Sequence, residues 1–132
     1  MMIGLDSNIL LRALTEDDPV QTPVAARILT DLTPERPGYV NLLVLAETAW
    51  SLARRYKAER ETILEAVEGL LESRSIVVAE RAAVIAGVEL ARSGEFDFAD
   101  ALIAVLNRQA GCDTTLTFDA KASKTSLFTP AA

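Results

Sequence analysis

The sequence predicts an α/β fold, a three-layer α/β/α sandwich with a short, mainly parallel central sheet. Three observations carry that reading. Short apolar or β-branched runs alternate with helical patterns along the whole chain. Several of these runs, such as SIVVA at 75–79, are too apolar to leave one face in water, so helices should cover the sheet on both sides. The 132 residues hold no internal repeat, no low-complexity tract and no linker long enough to divide them, which predicts one domain over 1–132.

The elements follow in order. Met2–Leu5 is a short apolar run suited to a buried strand. Ser7–Thr15 reads as a helix, and Pro19 and Pro23 bracket the start of another that ends near Leu32. Thr33–Gly38, TPERPG, is loop chemistry. Tyr39–Val40 is a very short strand, and Asn41 is placed to cap a helix from Leu42 to about Tyr56. Glu59–Ser73 is amphipathic, with Ile63, Leu64, Val67, Leu70 and Leu71 on one face. Ser75–Ala79 is strand-like through its β-branched residues. Helices are expected at Glu80–Ser93 and about Ala99–Ala110, separated by Gly94, then strands at Thr114–Phe118 and Ser126–Thr129.

Composition narrows the chemistry. Half the residues are apolar and 24% are charged, the balance of a soluble globular protein. No run approaches the ~20 apolar residues that span a bilayer, and no basic segment precedes an apolar leader. The single cysteine, Cys112, can form no internal disulfide; it is expected to be a buried structural thiol in a cytoplasmic protein. The formal charge is −6 and histidine is absent. Losing the usual general base and the commonest zinc ligand disfavours Ser-His-Asp and zinc chemistry. An acidic total also argues against coating nucleic acid non-specifically, although a bound cation could still bring a phosphodiester in.

The acids then stand out one by one. Asp6 directly follows the first strand, and Asp119, in TLTFDAKASK, directly follows another; parallel strands would bring both out at one sheet edge, where such folds place their sites. Either could instead simply cap the next helix. Glu47 has Leu43, Val44, Trp50 and Ser51 as its helical neighbours, so it is expected on the packed side, bound to a metal or paired with Arg54 or Arg12. Asp100 is the only charged residue in FADALIAVL, a core-helix pattern. Asp97 lies one turn earlier, placed to cap that helix or support the site. Ser7, Asn8 and Thr117 are small polar residues beside these acids, suited to hydrogen-bonding carboxylates or metal-bound water. Two carboxylates ~5 Å apart repel by roughly 3 kcal/mol at an effective dielectric of 20. A convergence of Asp6, Glu47, Asp100 and Asp119 therefore calls for a cation, and an all-oxygen set selects Mg²⁺ or Mn²⁺.

The stretches IGLDSNIL, LAETAW, DFADALIA and LTFDAKASK resemble the four acidic motifs of PIN-domain ribonucleases, and their order, spacing and size resemble the VapC-type toxins of bacterial toxin–antitoxin pairs. Ser7 stands where that first motif more often has Thr, which keeps the hydroxyl. The resemblance implies metal-binding, catalytic roles for Asp6, Glu47, Asp100 and Asp119, an RNA substrate, a homodimer and a small cognate antitoxin. Arg54, Arg55, Lys57 and Arg60, with Lys121 and Lys124 beyond Asp119, are the candidates to guide RNA; the alternative for the first four is a solvated helix end. Tyr56 is the nearest aromatic for stacking on a base. The Ile63–Leu71 face is the expected dimer surface. Two other readings stand beside the nuclease: a PIN-like module that binds without cutting, and a phosphatase or receiver-like domain.

Overall fold

Each strand is only two or three residues long, and a helix or turn follows each of the first four almost at once. The computed structural model describes residues 1–94 and 97–132, with Lys124 described through its backbone alone. Its elements are β1 (Ile3–Gly4), α1 (Ser7–Thr15), α2 (Gln21–Asp31), β2 (Gly38–Val40), α3 (Leu42–Arg54), α4 (Arg60–Glu72), β3 (Ile76–Val78), α5 (Arg81–Gly94), α6 (Phe98–Gln109), β4 (Thr115–Thr117), a 3-10 turn (Ala122–Lys124) and β5 (Phe128–Pro130). The α/β class is as predicted, and helix α1 has the predicted bounds. The chain divides into two compact units, Met1–Arg81 and Ala82–Ala132.

In the first unit β1, β2 and β3 form a parallel sheet in that order, with Ile3 opposite Gly38 and Val40 opposite Val78. Gly38 leaves room there for two leucine side chains. A Cβ would stand 2.8 Å from Leu5 Cδ1 and 2.9 Å from Leu32 Cδ1, inside van der Waals contact. Around the sheet, Leu10, Val40, Leu45 and Leu64 are the largest side chains withdrawn completely from water, each contributing roughly 1.5–3 kcal/mol by burial. Helix α4 spends most of its apolar face here: Ile63, Leu64, Val67 and Leu71 are buried, and Leu70 is half-buried. That corrects the expectation of a dimer surface on Ile63–Leu71, since core packing consumes it.

In the second unit β4 and β5 pair in parallel, with Thr115 opposite Phe128, so the expected parallel strands form two separate ladders. Its core is built from Val84, Val88, Ala91, Phe98, Ala101 and Leu102. Gly87 lets helix α5 approach α6 closely, since a Cβ there would touch Phe98 Cε1 at 3.4 Å and Leu102 Cα at 3.6 Å. Cys112 is exposed, contrary to the expected buried thiol. It follows Gly111, whose φ of 102° turns the chain out of α6, and only its amide is held, by Asn107 O at 2.9 Å. Among the described residues no helix is long and apolar enough to cross a membrane.

Candidate active site

Parallel pairing of β1 with β2 decides what meets in the first unit. Both strands run out at the same edge, so α1 starts beyond one and α3 beyond the other, and the two helices pack together. Asp6 sits at the α1 N-cap in extended backbone, and its Oδ1 accepts from the Ser7 amide at 2.8 Å. Asn41 caps α3 through Oδ1, which accepts from Val44 N at 2.8 Å, as predicted. Ser7, 3% exposed, is buried between these helices and donates its hydroxyl to Glu47 Oε1 at 2.5 Å. Asp6, Ser7 and Glu47 thus form one continuous group. Asn8 lines a shallow groove with Ile9, Arg12 and Val24 between α1 and α2.

Glu47 itself is exposed, and the expectation that it faces the packed side is corrected. Its neighbours Leu43 and Trp50, which prompted that reading, are 82% and 52% exposed. The buried arc of α3 is instead Leu45, Thr48, Ala49, Ser51 and Leu52. Neither candidate arginine pairs with Glu47. The Arg54 guanidinium lies 5.1 Å from the Trp50 ring centroid, and Arg12 bonds Gln21 and Tyr56 and reaches Asp17 at 3.5 Å.

The second unit gathers the other acids. Asp97 occupies the N-cap backbone position of α6, but its side chain makes no capping bond, which corrects the capping role expected for it. Asp100 is half-buried in the first turn of α6. Burial raises its pKa above the ordinary aspartate value, and the negative charges of Asp97 and Asp119 raise it further. Asp119 is exposed and caps the 3-10 turn: its Oδ1 accepts from Lys121 N at 2.8 Å and Ala122 N at 3.2 Å. Thr117 Oγ1 accepts from the Asp119 backbone amide at 2.9 Å, so its recorded bond is to the main chain and not to the carboxylate.

Oxygen is the only donor these acids offer, which suits a hard divalent cation, and the charge around Asp100 is a local reason to bind one. Within each unit, however, no three described His, Cys, Asp or Glu side chains stand close enough to enclose an ion.

The cations lie where α3 ends. Arg54, Arg55 and Lys57 are exposed, Lys57 in left-handed backbone (φ 55°), and Arg60 opens α4 half-buried. Lys121 is exposed beside Asp119; the side chain of Lys124 lies outside the described residues. Tyr56, the expected stacking residue, is tied down: its hydroxyl donates to Asp17 Oδ2 at 2.9 Å and accepts from Arg12 at 3.2 Å. Two open aromatics were not anticipated. Trp50 lies one turn from Glu47, and Phe118, 87% exposed, directly precedes Asp119. Strand alternation in TLTF, which puts Leu116 and Phe118 on one face, was the available signal for the second.

Acids just past the carboxyl ends of short parallel strands, as Asp6 and Asp119 are, lie where α/β proteins place their sites, which is the class this chain belongs to. The family follows from comparison. The PIN domain model matches residues 3–126, so the chain belongs to the PIN domain family, whose members are generally metal-dependent nucleases that usually use Mg²⁺. No match is found among curated proteins.

Proposed function

We propose that this protein is a Mg²⁺- or Mn²⁺-dependent endoribonuclease, the toxin of a toxin–antitoxin pair, hydrolysing RNA phosphodiesters in the cytoplasm. The observation that carries the reading is the match of residues 3–126 to the PIN domain, within which Asp100 is half-buried and has its pKa raised by burial and by the charges of Asp97 and Asp119. Like charge gathered at one point is a cost unless a cation offsets it.

In this reading, which rests on the likeness of the four motifs, Asp6, Glu47, Asp100 and Asp119 would be the metal-binding acids, with Glu47 meeting an ion directly or through water. When bound, the ion supplies a lowered water pKa and charge neutralisation at the scissile phosphate. The chain supplies the rest. Ser7 fixes one oxygen of Glu47 and leaves the other for coordination or for the proton of a water. Thr117 and the turn amides hold Asp119 in place. Arg54, Arg55, Lys57, Arg60 and Lys121 take the RNA backbone. A homodimer and a small antitoxin partner belong to the same proposal, supported by the likeness of the four motifs to VapC-type toxins. The phosphatase or receiver-like reading does not survive PIN membership.

The test has two parts. Mg²⁺ or Mn²⁺ should raise the Tm in a saturable way, and Asp6→Asn and Asp100→Asn should remove that response. Purified protein should cut a mixture of structured RNAs only with the metal, and Asp6→Asn should abolish cutting. Metal stabilisation with intact RNA would identify a PIN module that binds without cleaving.

A further inference from the structure

We propose that Trp50 stacks an unpaired nucleobase and so positions single-stranded RNA against Glu47. The proposal rests on the nuclease reading and adds to it a binding residue. Leu43, Glu47, Trp50 and Arg54 are spaced four, three and four residues apart, which sets them in one narrow stripe along α3. All four are exposed, and the buried residues of α3 lie on the other side. Trp50 is one helical turn from Glu47, about 4.5 Å along the axis. A base on the indole therefore brings its flanking phosphodiester to the acid.

The surroundings select the occupant. Arg54 lies against the indole ring, while Arg55, over the Tyr56 ring at 5.6 Å, and Lys57 follow at the exposed end of the helix. An aromatic platform with cations alongside is the arrangement that holds a base and its phosphates. A second copy of the chain fits less well. A stable dimer buries about 800 Å² per partner around an apolar core; here two apolar side chains alternate with a carboxylate and a guanidinium. The base must be unpaired, because inside a duplex both of its faces are already covered.

Trp50 is the only tryptophan in the chain and so reports on itself. Its emission is followed while a single-stranded oligoribonucleotide, or the same sequence as a duplex, is added with Ca²⁺ in place of Mg²⁺; the RNA is checked intact afterwards. Cleavage kinetics with Mg²⁺ are measured for wild type, Trp50→Ala and Trp50→Phe, with Tm as the folding control. Saturable quenching by the single strand alone is expected. Trp50→Ala should raise KM at least about fivefold with kcat within about twofold, and Trp50→Phe should stay close to wild type. Unquenched emission from a protein that cuts the same RNA would overturn the proposal and leave the nuclease standing. So would an unchanged KM in Trp50→Ala, or emission that follows protein concentration instead of RNA, the mark of a second copy on this face. Quenching without cleavage would keep the platform and remove the nuclease.

Discussion

In the unit ending at Arg81 each candidate acid has a donor: Asp6 takes the Ser7 amide and Glu47 takes the Ser7 hydroxyl. In the unit that follows, Asp119 is likewise bonded to turn amides, but Asp100 faces Asp97 and Asp119 and is pushed toward its neutral form. Hydrogen-bond donors mark the first pair, and crowding by like charge marks Asp100. A carboxylate at a parallel-strand edge is thus not enough to indicate metal chemistry, since capping accounts for Asp6 equally well. What distinguishes Asp100 is like charge crowded onto a half-buried group.

The largest expected effects test this contrast directly. Asp100→Asn should lower cleavage at least about a hundredfold, because even residues that only orient ligands cost up to that much. The same change should raise the metal-free Tm by roughly 1–3 °C, since it removes like-charge repulsion around a half-buried group. Asp6→Asn should lose cleavage equally while leaving the metal-free Tm within about 1 °C, because asparagine caps helices as well as aspartate does. Equal Tm changes in the two variants, measured by thermal melting without metal, would erase the difference between the units.

Next in size is Ser7→Ala. The hydroxyl is buried, and its bond to Glu47 ties α1 to α3. Its loss should cost about 1 kcal/mol of stability by urea denaturation. Cleavage should fall about tenfold with KM nearly unchanged, because Glu47 loses its orientation and not its charge. An unchanged kcat would mean that Glu47 does not need the hydroxyl.

Much of this was legible beforehand, and the failures share a cause. Helix α1 was readable because Asp6 marks its start, and the charge at Asp100 because an all-apolar helix makes one acid conspicuous. Glu47 was misplaced because Leu43 and Trp50 were counted as core when they are exposed. Ile63–Leu71 was assigned to a dimer when it lines the core, and Cys112 was buried when it sits at an open helix end. Hydropathy identifies which side chains favour burial; it does not say which ones the fold has room to bury. An exposed tryptophan beside a site acid can be recognised only once packing is known.

The pH dependence is a smaller effect. Because Asp100 has a raised pKa, the native state binds its proton more tightly than the unfolded chain does. Its destabilising effect in metal-free protein is therefore full above its folded pKa and disappears as pH falls toward the ordinary aspartate value of 3.8. Asp17 and Asp18 run the other way: their lowered pKa values give stability present above 3.8 and lost as pH falls through the folded values. Melting curves of wild type and Asp100→Asn should accordingly converge as the pH drops toward 4. Parallel curves across that range would show that Asp100 does not titrate under its neighbours' charge.

The smallest effects concern the cations, one from each unit. Arg55 lies at the end of α3, and Lys121 stands beside Asp119. Neither substitution should disturb the acids, because Lys121 serves Asp119 through its backbone amide, which Lys121→Gln retains. For single-stranded RNA each phosphate contact contributes about 0.7 to the slope of log affinity against log salt. Arg55→Gln and Lys121→Gln should each lower that slope by about this amount if the strand crosses both units. A slope that responds to Arg55 alone would confine the RNA path to the unit carrying Trp50. The Asp100 cluster would then bind its cation without touching the strand's backbone through Lys121.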